Sequence, residues 1–314
     1  MATIGKNTSI AADLLSKGEL VAIPTETVYG LAANALDTTA VAAIFEAKNR
    51  PQFDPLILHT YSSEKAMEYV KEFPFELKKL AEAFWPGPLT LLLERQDKVP
   101  DLVTSGLSRV AVRVPNHALT LELLKLLDFP LAAPSANPFG YVSPTTTEHV
   151  NKQLGDKVSY ILDGGHCEVG IESTIIGMEE GKVCVYRLGG LALEEIEKIC
   201  GKVELKINSS SNPATPGQLK SHYAPMKKVV IGNIENDLAR YVNAAVIFFG
   251  NKNINAKNQF NLSATKNLKE AAANLFMALR QMDESNAEVI LCELLPEEGL
   301  GRAINDRLKR AAVK

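Results

Sequence analysis

The sequence of 314 residues is poor in cysteine and lacks long apolar runs. Its four cysteines are scattered and form no Cys-Xaa-Xaa-Cys pair, which argues against a disulfide framework and against a zinc site. No apolar stretch approaches the length that spans a membrane, and residues 1–9 lack the charged and then apolar pattern of a signal peptide. We therefore expect a soluble protein of the reducing cytoplasm, with no membrane partner.

Charge of one sign is not in marked excess either. The formal net charge is −3, so composition gives no sign of a nucleic-acid or membrane binder. The sequence up to about Lys206 is acidic and the remainder is mildly basic, which hints at two domains and weakly at a polyanion partner, although ordinary solvated faces explain it as well. The phosphate-binding motifs GxxxxGK[ST] and GxGxxG are missing, as are HExxH and GxSxG. Any ATP site must therefore be built differently.

The first two hundred residues mix predicted strands and helices. Apolar or alternating runs predict strands at 20–23, 56–58, 89–93, 110–114 and 130–133. Amphipathic spacing and capping residues predict helices from 38, from 77 to 85, from 119 to 127 and after a capping box at 145–148. Two further β-prone runs, 174–178 and 183–188, suggest a hairpin. Because the helices do not alternate strictly with the strands, we expect an α+β fold with a mixed sheet.

A polar stretch rich in breakers, residues 208–213, separates a second region. Beyond it each apolar strand is followed by helical sequence, with the strands at 228–231, 245–249 and 289–292. This order predicts a small parallel three-layer α/β domain of Rossmann-like type. We therefore divide the chain into a first domain at 1–206, a linker at 207–226 and a C-terminal domain at 227–314.

Several cations and hydroxyl groups lie at predicted strand ends and in loops, where binding residues usually sit. Lys48 and Arg50 end a helix, so they either form a ligand site or simply offset the helix dipole. Arg113 lies in an apolar strand and needs a partner, either a ligand anion or a structural acid. Other polar positions, each with an ordinary structural explanation when taken alone, are His59, Ser135, Asn137 and Arg187. Together these residues predict a cavity that binds a phosphate or a carboxylate, without saying which.

Seven short motifs follow one another between about residues 10 and 200. They are Ile23-Pro24-Thr25-Glu26-Thr27-Val28-Tyr29-Gly30-Leu31, Lys48-x-Arg50-Pro51, Trp85-Pro86-Gly87-Pro88-Leu89-Thr90, Ala111-Val112-Arg113-Val114-Pro115, Pro134-Ser135-Ala136-Asn137, Glu172-Ser173-Thr174-Ile175 and Arg187-x-Gly189. In this order the series resembles the Sua5/YrdC/YwlC family. The continuation through 216–225 into an α/β domain is similar to the long two-domain Sua5 type.

The resemblance implies a YrdC-like fold, in which a twisted mixed sheet and its helices surround an open cavity. It also implies L-threonylcarbamoyladenylate synthase activity, a nucleotidyl transfer that joins L-threonine, bicarbonate and ATP into threonylcarbamoyl-AMP and pyrophosphate. The product serves N6-threonylcarbamoyladenosine (t6A) formation at position 37 of ANN-decoding tRNAs. Mg²⁺ would accompany ATP, held mainly by its phosphates, and no organic cofactor is implied. A TsaD-type tRNA threonylcarbamoyltransferase would use the product, and weak binding of RNA is a further expectation.

Residue roles follow from the resemblance, motif by motif. Lys48 and Arg50 would be catalytic, nearest the triphosphate. The L-threonine pocket would consist of Thr27, His59, Arg113, Ala133 and Ser173. ATP would contact Lys48, Arg50, Asp54, Arg109, Ser135, Asn137, Ser143, Arg187 and Tyr223. Asp54 and Arg109 depart from the family pattern, which has Asn and often Thr there, and Arg109 would meet the adenine through its main chain. Tyr223 would act as a lid over the nucleotide.

Other functions remain open at this stage. A YrdC-like fold also resembles a double-stranded RNA or tRNA binder without synthase activity, but the acidic first domain counts against tight binding of a polyanion. Related domains in hydrogenase maturation proteins form carbamoyl-adenylate from carbamoyl phosphate, next to zinc-finger and acylphosphatase-like modules that have no counterpart here. A purely regulatory role would fit an incomplete site, whereas the motif series is intact.

Overall fold

The structure is a computed structural model that describes residues 2–207, 222–241 and 243–313. The N-terminal region (residues 2–207) contains β1 (Thr3–Gly5), α1 (Thr8–Ser16), β2 (Val21–Ile23), β3 (Gly30–Asn34), α2 (Thr38–Lys48), β4 (Ile57–His59), α3 (Ser63–Met67), α4 (Phe75–Phe84), β5 (Leu89–Glu94), α5 (Asp101–Thr104), β6 (Arg109–Arg113), α6 (Ala118–Lys125), β7 (Leu131–Ala132), α7 (Thr147–Leu154), β8 (Tyr160–Leu162), β9 (Thr174–Glu179), β10 (Lys182–Arg187), α8 (Leu193–Cys200) and β11 (Glu204–Leu205).

A bridging segment (residues 222–226) leads into the C-terminal region (residues 227–313). That region contains β12 (Lys228–Ile231), α9 (Ile234–Leu238), β13 (Ala244–Phe248), β14 (Asn258–Asn261), α10 (Leu268–Glu284), β15 (Val289–Cys292) and α11 (Gly301–Ala311). The predicted linker residues 208–213 and 216–220 lie outside the described residues. The domain boundaries at 206 and 226 therefore remain predictions.

The strands of the N-terminal region form one mixed sheet in the order β1-β8-β2-β3-β7-β4-β6-β5-β9-β10-β11. The sheet contains parallel pairs such as β4 with β6 and antiparallel pairs such as β5 with β6. The predicted hairpin is β9 and β10, paired antiparallel. These pairings confirm the expected mixed sheet. They place β7, β4 and β6 side by side, with β9 one strand further along, beyond β5.

Local sequence explains several of these elements. Asp37 caps α2, because its carboxylate accepts from the backbone amides of Thr39 and Ala40. The helix ends at Asn49, which adopts the left-handed conformation that often terminates helices. Thr146, rather than the expected Thr145, caps α7, so the predicted capping box starts one residue too early.

The C-terminal region has a parallel sheet in the order β12-β15-β13-β14. The predicted strands match β12, β13 and β15 to within one residue, and α10 carries the predicted apolar face, with Leu275 and Phe276 fully buried. The strand β14 was not predicted, because its sequence Asn258-Gln259-Phe260-Asn261 is mostly polar. It is an edge strand that pairs with β13, where little apolar surface is needed.

One hydrophobic core connects the two regions. It contains Leu31 and Val112 of the N-terminal region together with Tyr223, Leu275 and Phe276. The contact is tight, since a Cβ atom added to Gly170 would lie 2.4 Å from the Cα of Ala273 on α10. The C-terminal region is therefore packed directly against the sheet that carries the site. Within the described residues, no helix is both long and apolar enough to cross a membrane.

Candidate active site

A cavity lies where β4, β6 and β7 end and β9 begins. It is also lined by the loop that follows β2, by the end of β10 and by the bridging segment. Its volume is about 50 Å³, well below the roughly 300–1,000 Å³ of ordinary small-molecule sites. His222 and Tyr223 of the bridging segment form part of the wall. The bridging segment therefore closes one side of the cavity.

Arg113 is the central cation at one end of the cavity and is only 4% exposed. Its Nη1 donates to the hydroxyl of Thr27 at 2.9 Å and its Nε donates to the carbonyl of Gly87 at 3.2 Å. Its Nη2 lies 2.7 Å from Oε1 of the buried Glu26, an ion pair that is not aligned as a hydrogen bond. Glu26 is thus the structural acid, one of the two partners for Arg113 that the sequence analysis considered. The misaligned Nη2 remains available for a better-aligned carboxylate from a ligand.

The other residues at this end are small or neutral. The hydroxyls of Thr25 and Thr27 lie 2.8 Å apart, and Thr25 donates to the carbonyl of Val28. His59 is buried next to Arg113, and burial together with that charge lowers its pKa to about 3. The imidazole is therefore neutral at pH 7, with Nδ1 donating to the carbonyl of Ile57 at 3.2 Å. A neutral ring beside Arg113 leaves the guanidinium as the local positive charge.

The opposite end of the cavity holds Arg50, backed by Lys48 and Asp54. Lys48 is almost completely buried, and its Nζ donates to the carbonyls of Ser135 and Asn137 at 2.5 Å each. Burial and the neighbouring Arg50 hold the pKa of Lys48 well below its usual range. Arg50 donates to the carbonyl of Pro55 and forms an ion pair with Asp54 at 2.9 Å. This network fixes the Arg50 guanidinium at the wall of the cavity.

Asp54 departs from the family pattern, and the structure shows what it contacts. Its carboxylate is completely buried and lies against Arg50. Burial raises its pKa, which Arg50 and Lys48 oppose by favouring the charged form. Asp54 does not line the cavity itself. In this arrangement it orients Arg50 and offsets part of the positive charge of the Lys48–Arg50 pair.

A third wall joins β9 to the end of β10. Arg187 donates from Nε to the carbonyl of Ser173 and from Nη2 to its hydroxyl, at 3.0 and 3.1 Å. The Ser173 hydroxyl also lies 2.7 Å from the hydroxyl of Thr90. Ser143 donates to Oε1 of Glu172 at 2.5 Å. The wall therefore combines a buried guanidinium, three hydroxyls and one carboxylate.

The bridging segment closes the cavity from the side of the C-terminal region. The ring of Tyr223 stacks on Phe276 of α10, with 5.6 Å between centroids and 26° between planes. His222 packs edge-on against Tyr223 at 4.1 Å. Burial and the nearby cations, above all Arg50 and Lys48, hold the pKa of His222 well below its usual range. A neutral His222 can thus lie beside the cation pair without repulsion.

Thirteen of the fourteen predicted site residues gather at this one place. Nine line the cavity: Thr27, Arg50, His59, Arg113, Ala133, Ser135, Ser173, Arg187 and Tyr223. Four are buried in its walls: Lys48, Asp54, Asn137 and Ser143. Their roles toward individual ligands stay predictions.

Arg109 is the exception, because it does not line the cavity, and its predicted main-chain contact with ATP stays a prediction. It begins β6, whereas Arg113 at the other end of that strand faces the cavity. Its guanidinium lies over the ring of Tyr186 and donates to the hydroxyl of that residue at 3.2 Å. A five-residue strand separates its two ends by about 13 Å, so Arg109 packs on a different part of the sheet.

Sequence reasoning did not assign a role to Glu26, Glu172, His222 or Arg307. Glu26 and Glu172 stand inside quoted motifs, so their positions were visible, but nothing local showed that each meets an arginine. Arg307 lies 135 residues from its partner Glu172, and no sequence signal links the two.

Comparisons with known proteins show which family the chain belongs to. The family model of the Sua5, YciO and YrdC proteins, described as "Telomere recombination", matches residues 13–189. A second model, described as "Threonylcarbamoyl-AMP synthase, C-terminal domain", matches residues 191–313. The chain belongs to the Sua5/YciO/YrdC family. Because both models match, it is of the two-domain Sua5 type, and the expected family is confirmed.

Relatives of the Sua5 type match over nearly the whole chain. The threonylcarbamoyl-AMP synthase of Pyrococcus abyssi is 43% identical, over 96% of this chain and 93% of its own length. The Bacillus subtilis protein of the same name is 37% identical, over 96% of this chain and 92% of its own. The crystal structure of P. abyssi Sua5 complexed with L-threonine superposes with a TM-score of 0.94 at 41% identity, covering 99% of this chain and 97% of that one. The expected fold is thereby confirmed.

Proposed function

We propose that the chain is an L-threonylcarbamoyladenylate synthase, a nucleotidyltransferase that uses L-threonine, bicarbonate and ATP. The observation that carries this proposal is the pairing, in one cavity, of a buried arginine among small polar groups with a second cluster of cations. Full-length relatives that bear this enzyme name, and the relative whose structure was obtained with L-threonine, support it.

At the first end, Arg113 is the partner for the carboxylate of L-threonine. A guanidinium presents two parallel N–H groups that match a carboxylate, and charge-assisted pairs of this kind are strong. Thr27 and Ser173 supply hydroxyls for the amino acid's polar groups, and Ala133 leaves room for its methyl group. The amine is then free to bond to the carbon of bicarbonate with loss of water, which gives a carbamate.

At the opposite end of the cavity, Arg50 and the neighbouring cations bind the triphosphate. A carbamate oxygen attacks the α-phosphorus, the bond from that phosphorus to the β-phosphate bridging oxygen breaks, and pyrophosphate leaves with the electron pair. Phosphoryl chemistry of this kind depends mainly on positioning and on neutralisation of charge. Arg50 and Arg187 supply positive charge at the wall, Lys48 supports it from behind, and no side-chain nucleophile is required.

Mg²⁺ is proposed as the companion of ATP rather than as a resident ion. The nearby carboxylates of Asp54 and Glu172 are each bound to an arginine, and among the described residues no group of three candidate ligands occurs. These residues fit a metal held mainly through phosphate oxygens. Charge on the leaving pyrophosphate would be offset by the ion that the triphosphate carries.

The product is a mixed anhydride, which water hydrolyses readily, so a closed cavity protects it. A TsaD-type transferase that passes the threonylcarbamoyl group to tRNA is the proposed consumer, and the cytoplasm is the proposed location. Nothing in the described cavity favours RNA over a small-molecule ligand.

Pyrophosphate release tests the proposal. The purified chain, ATP and Mg²⁺ are assayed with L-threonine and bicarbonate each omitted in turn, and with carbamoyl phosphate offered in place of both. We expect release only when both co-substrates are present, and a loss of about 100-fold or more in Arg113→Ala, because a buried charged partner is removed. Arg95→Ala, a partly exposed arginine that pairs with Asp101, is the matched control and should keep its activity. Release that ignores threonine, or that needs only carbamoyl phosphate, would refute the synthase assignment.

A further inference from the structure

A guanidinium from the C-terminal region reaches the wall of the cavity. Arg307 of α11 is completely buried, although it is the largest side chain in that class. Its Nε and Nη2 both lie 3.2 Å from Oε2 of Glu172, and its Nη1 donates to the carbonyl of Leu188 at 2.5 Å. Its neighbour Asp306 accepts at 3.1 Å. Burial disfavours the charged form, but Tyr223, Glu172 and Asp306 outweigh it and raise the pKa of Arg307, so it stays charged.

The two oxygens of Glu172 are fixed from different regions of the chain. Ser143 of the N-terminal region donates to Oε1, and Arg307 of the C-terminal region binds Oε2. Glu172 lines the cavity and directly precedes Ser173, which Arg187 holds by two hydrogen bonds. A change at Arg307 therefore alters the charge balance and the geometry next to Arg187.

The same guanidinium also packs on the bridging segment. Its Cζ lies 5.2 Å from the centre of the Tyr223 ring, which stacks on Phe276 as well. Phe276 and Arg307 both belong to the C-terminal region, and cation–π contacts gain strength when they are desolvated. The position of the Tyr223 ring at the cavity therefore depends on how α10 and α11 pack against it.

A purely structural ion pair is the alternative explanation. Buried pairs of this kind often add little net stability relative to apolar residues of the same volume. Arg307 contacts two residues that line the cavity, Glu172 and Tyr223, and also the carbonyl of Leu188, the residue that follows Arg187. A structural role predicts an equal loss for every ligand of the cavity. A positioning role predicts a loss confined to the side that these residues form.

We propose that Arg307 is a positioning residue for the nucleotide side of the active site, through which the C-terminal region holds Glu172 and Tyr223 in the geometry that ATP requires. The proposal rests on the proposed synthase function and extends it. The C-terminal region thereby gains a definite role, because it supports from behind a cavity whose lining residues belong to the N-terminal region and the bridging segment.

The test compares Arg307→Met with Arg307→Lys, Glu172→Gln and the double variant Arg307→Met/Glu172→Gln. Lys309→Met is the matched control, because Lys309 lies on the same helix but is exposed and pairs with the exposed Glu297. KM and kcat for ATP are measured by pyrophosphate release, the affinity for L-threonine by calorimetry without ATP, and folding by thermal unfolding of each variant.

We expect kcat/KM for ATP to fall about tenfold to a hundredfold in Arg307→Met, since a hydrogen-bonded partner of a buried carboxylate is lost. The affinity for L-threonine should stay within about twofold, a split that general disruption would not produce. Arg307→Lys should lie between the wild type and Arg307→Met, because it keeps the charge but not the planar fork. The double variant should lose less than the product of the two single losses, because their effects share one interaction.

Unchanged kinetics for ATP in Arg307→Met would overturn the proposal, as would a parallel loss of ATP and threonine binding. If Arg307→Met does not fold, Arg307→Lys and the double variant replace it, because neither leaves Glu172 as an unpaired buried charge. The test is then whether kcat/KM for ATP falls in these variants while the affinity for L-threonine does not. A wild-type chain without threonine-dependent release would instead refute the synthase function itself, so the two failures are distinguishable.

Discussion

At the scale of single residues, the site is defined by buried charges and by what neutralises them. Because Arg113 lies in an apolar strand, the sequence alone predicted that its charge has a partner, either a ligand anion or a structural acid. The structure supplies Glu26 and Thr27, the second of them 86 residues away in sequence. Sequence could thus predict that a cation had to be satisfied here, but not by which groups, because the pairing depends on strand order.

His59 makes the stability of the fold depend on pH. Its pKa is about 3 in the folded chain against an ordinary value of 6.5, so the unfolded chain binds more protons between these two values. Stability is therefore complete above pH 6.5 and is lost as the pH falls toward 3, by up to about 1.4 kcal/mol per pH unit from this residue. His149, whose pKa burial lowers to about 4, acts in the same direction.

We expect His59→Gln to reduce this slope. Urea unfolding at pH 7, 6 and 5 measures it, with His166→Gln at an exposed position as control. The slope should flatten in His59→Gln only, whatever the absolute stability of each variant. Equal slopes in the wild type and His59→Gln would contradict the neutral, buried imidazole.

At the scale of elements, local signals account for much of the fold. The capping residue Asp37 predicted the start of α2 correctly, and the alternating valines predicted β6. The edge strand β14 was not predicted, because its residues are mostly polar. The position of the two-residue strand β7 was predicted, but the strands that pair with it were not. The strand that contains Arg109 and Arg113 was predicted as well, but which of its ends meets the cavity follows from sheet topology, which local sequence does not show.

The end of the β9–β10 hairpin offers a direct test of how an element shapes the site. A Cβ atom on Gly189 would lie 2.3 Å from the carbonyl oxygen of Glu172 and 2.4 Å from the carbonyl carbon of Ser173. Gly189→Ala must therefore displace this backbone, at a cost of about 1–3 kcal/mol in stability. Because the added Cβ meets the backbone of Ser173 in the proposed threonine pocket as well as that of Glu172, we expect kcat/KM to fall at least about tenfold for both ATP and L-threonine.

Gly181→Ala, in the turn of the same hairpin, is the control. Its φ is +75° and no atom lies within 4 Å of the added Cβ, so it should lose about 1–2 kcal/mol of stability through backbone strain and keep its kinetics. Wild-type kinetics in Gly189→Ala would show that the close approach does not shape the site.

At the scale of the whole molecule, one core joins the two regions, and we expect them to unfold together. Trp85, the single tryptophan, reports on the N-terminal region by fluorescence, while far-UV circular dichroism reports on the helices of both. The two urea transitions should coincide in the wild type. In Gly170→Val, where the side chain would collide with α10, we expect a lower midpoint and separate transitions. Two well-separated transitions in the wild type would contradict a shared core.

The chemistry of the cavity is tested most directly by following the carbon of bicarbonate. The chain is incubated with ¹⁴C-bicarbonate, L-threonine, ATP and Mg²⁺, and the products are separated at once and identified by mass. The account predicts one labelled compound that contains AMP and threonine, formed in equal amount with pyrophosphate and absent when any substrate is left out. Pyrophosphate without the label, or a labelled adduct that lacks threonine, would contradict it.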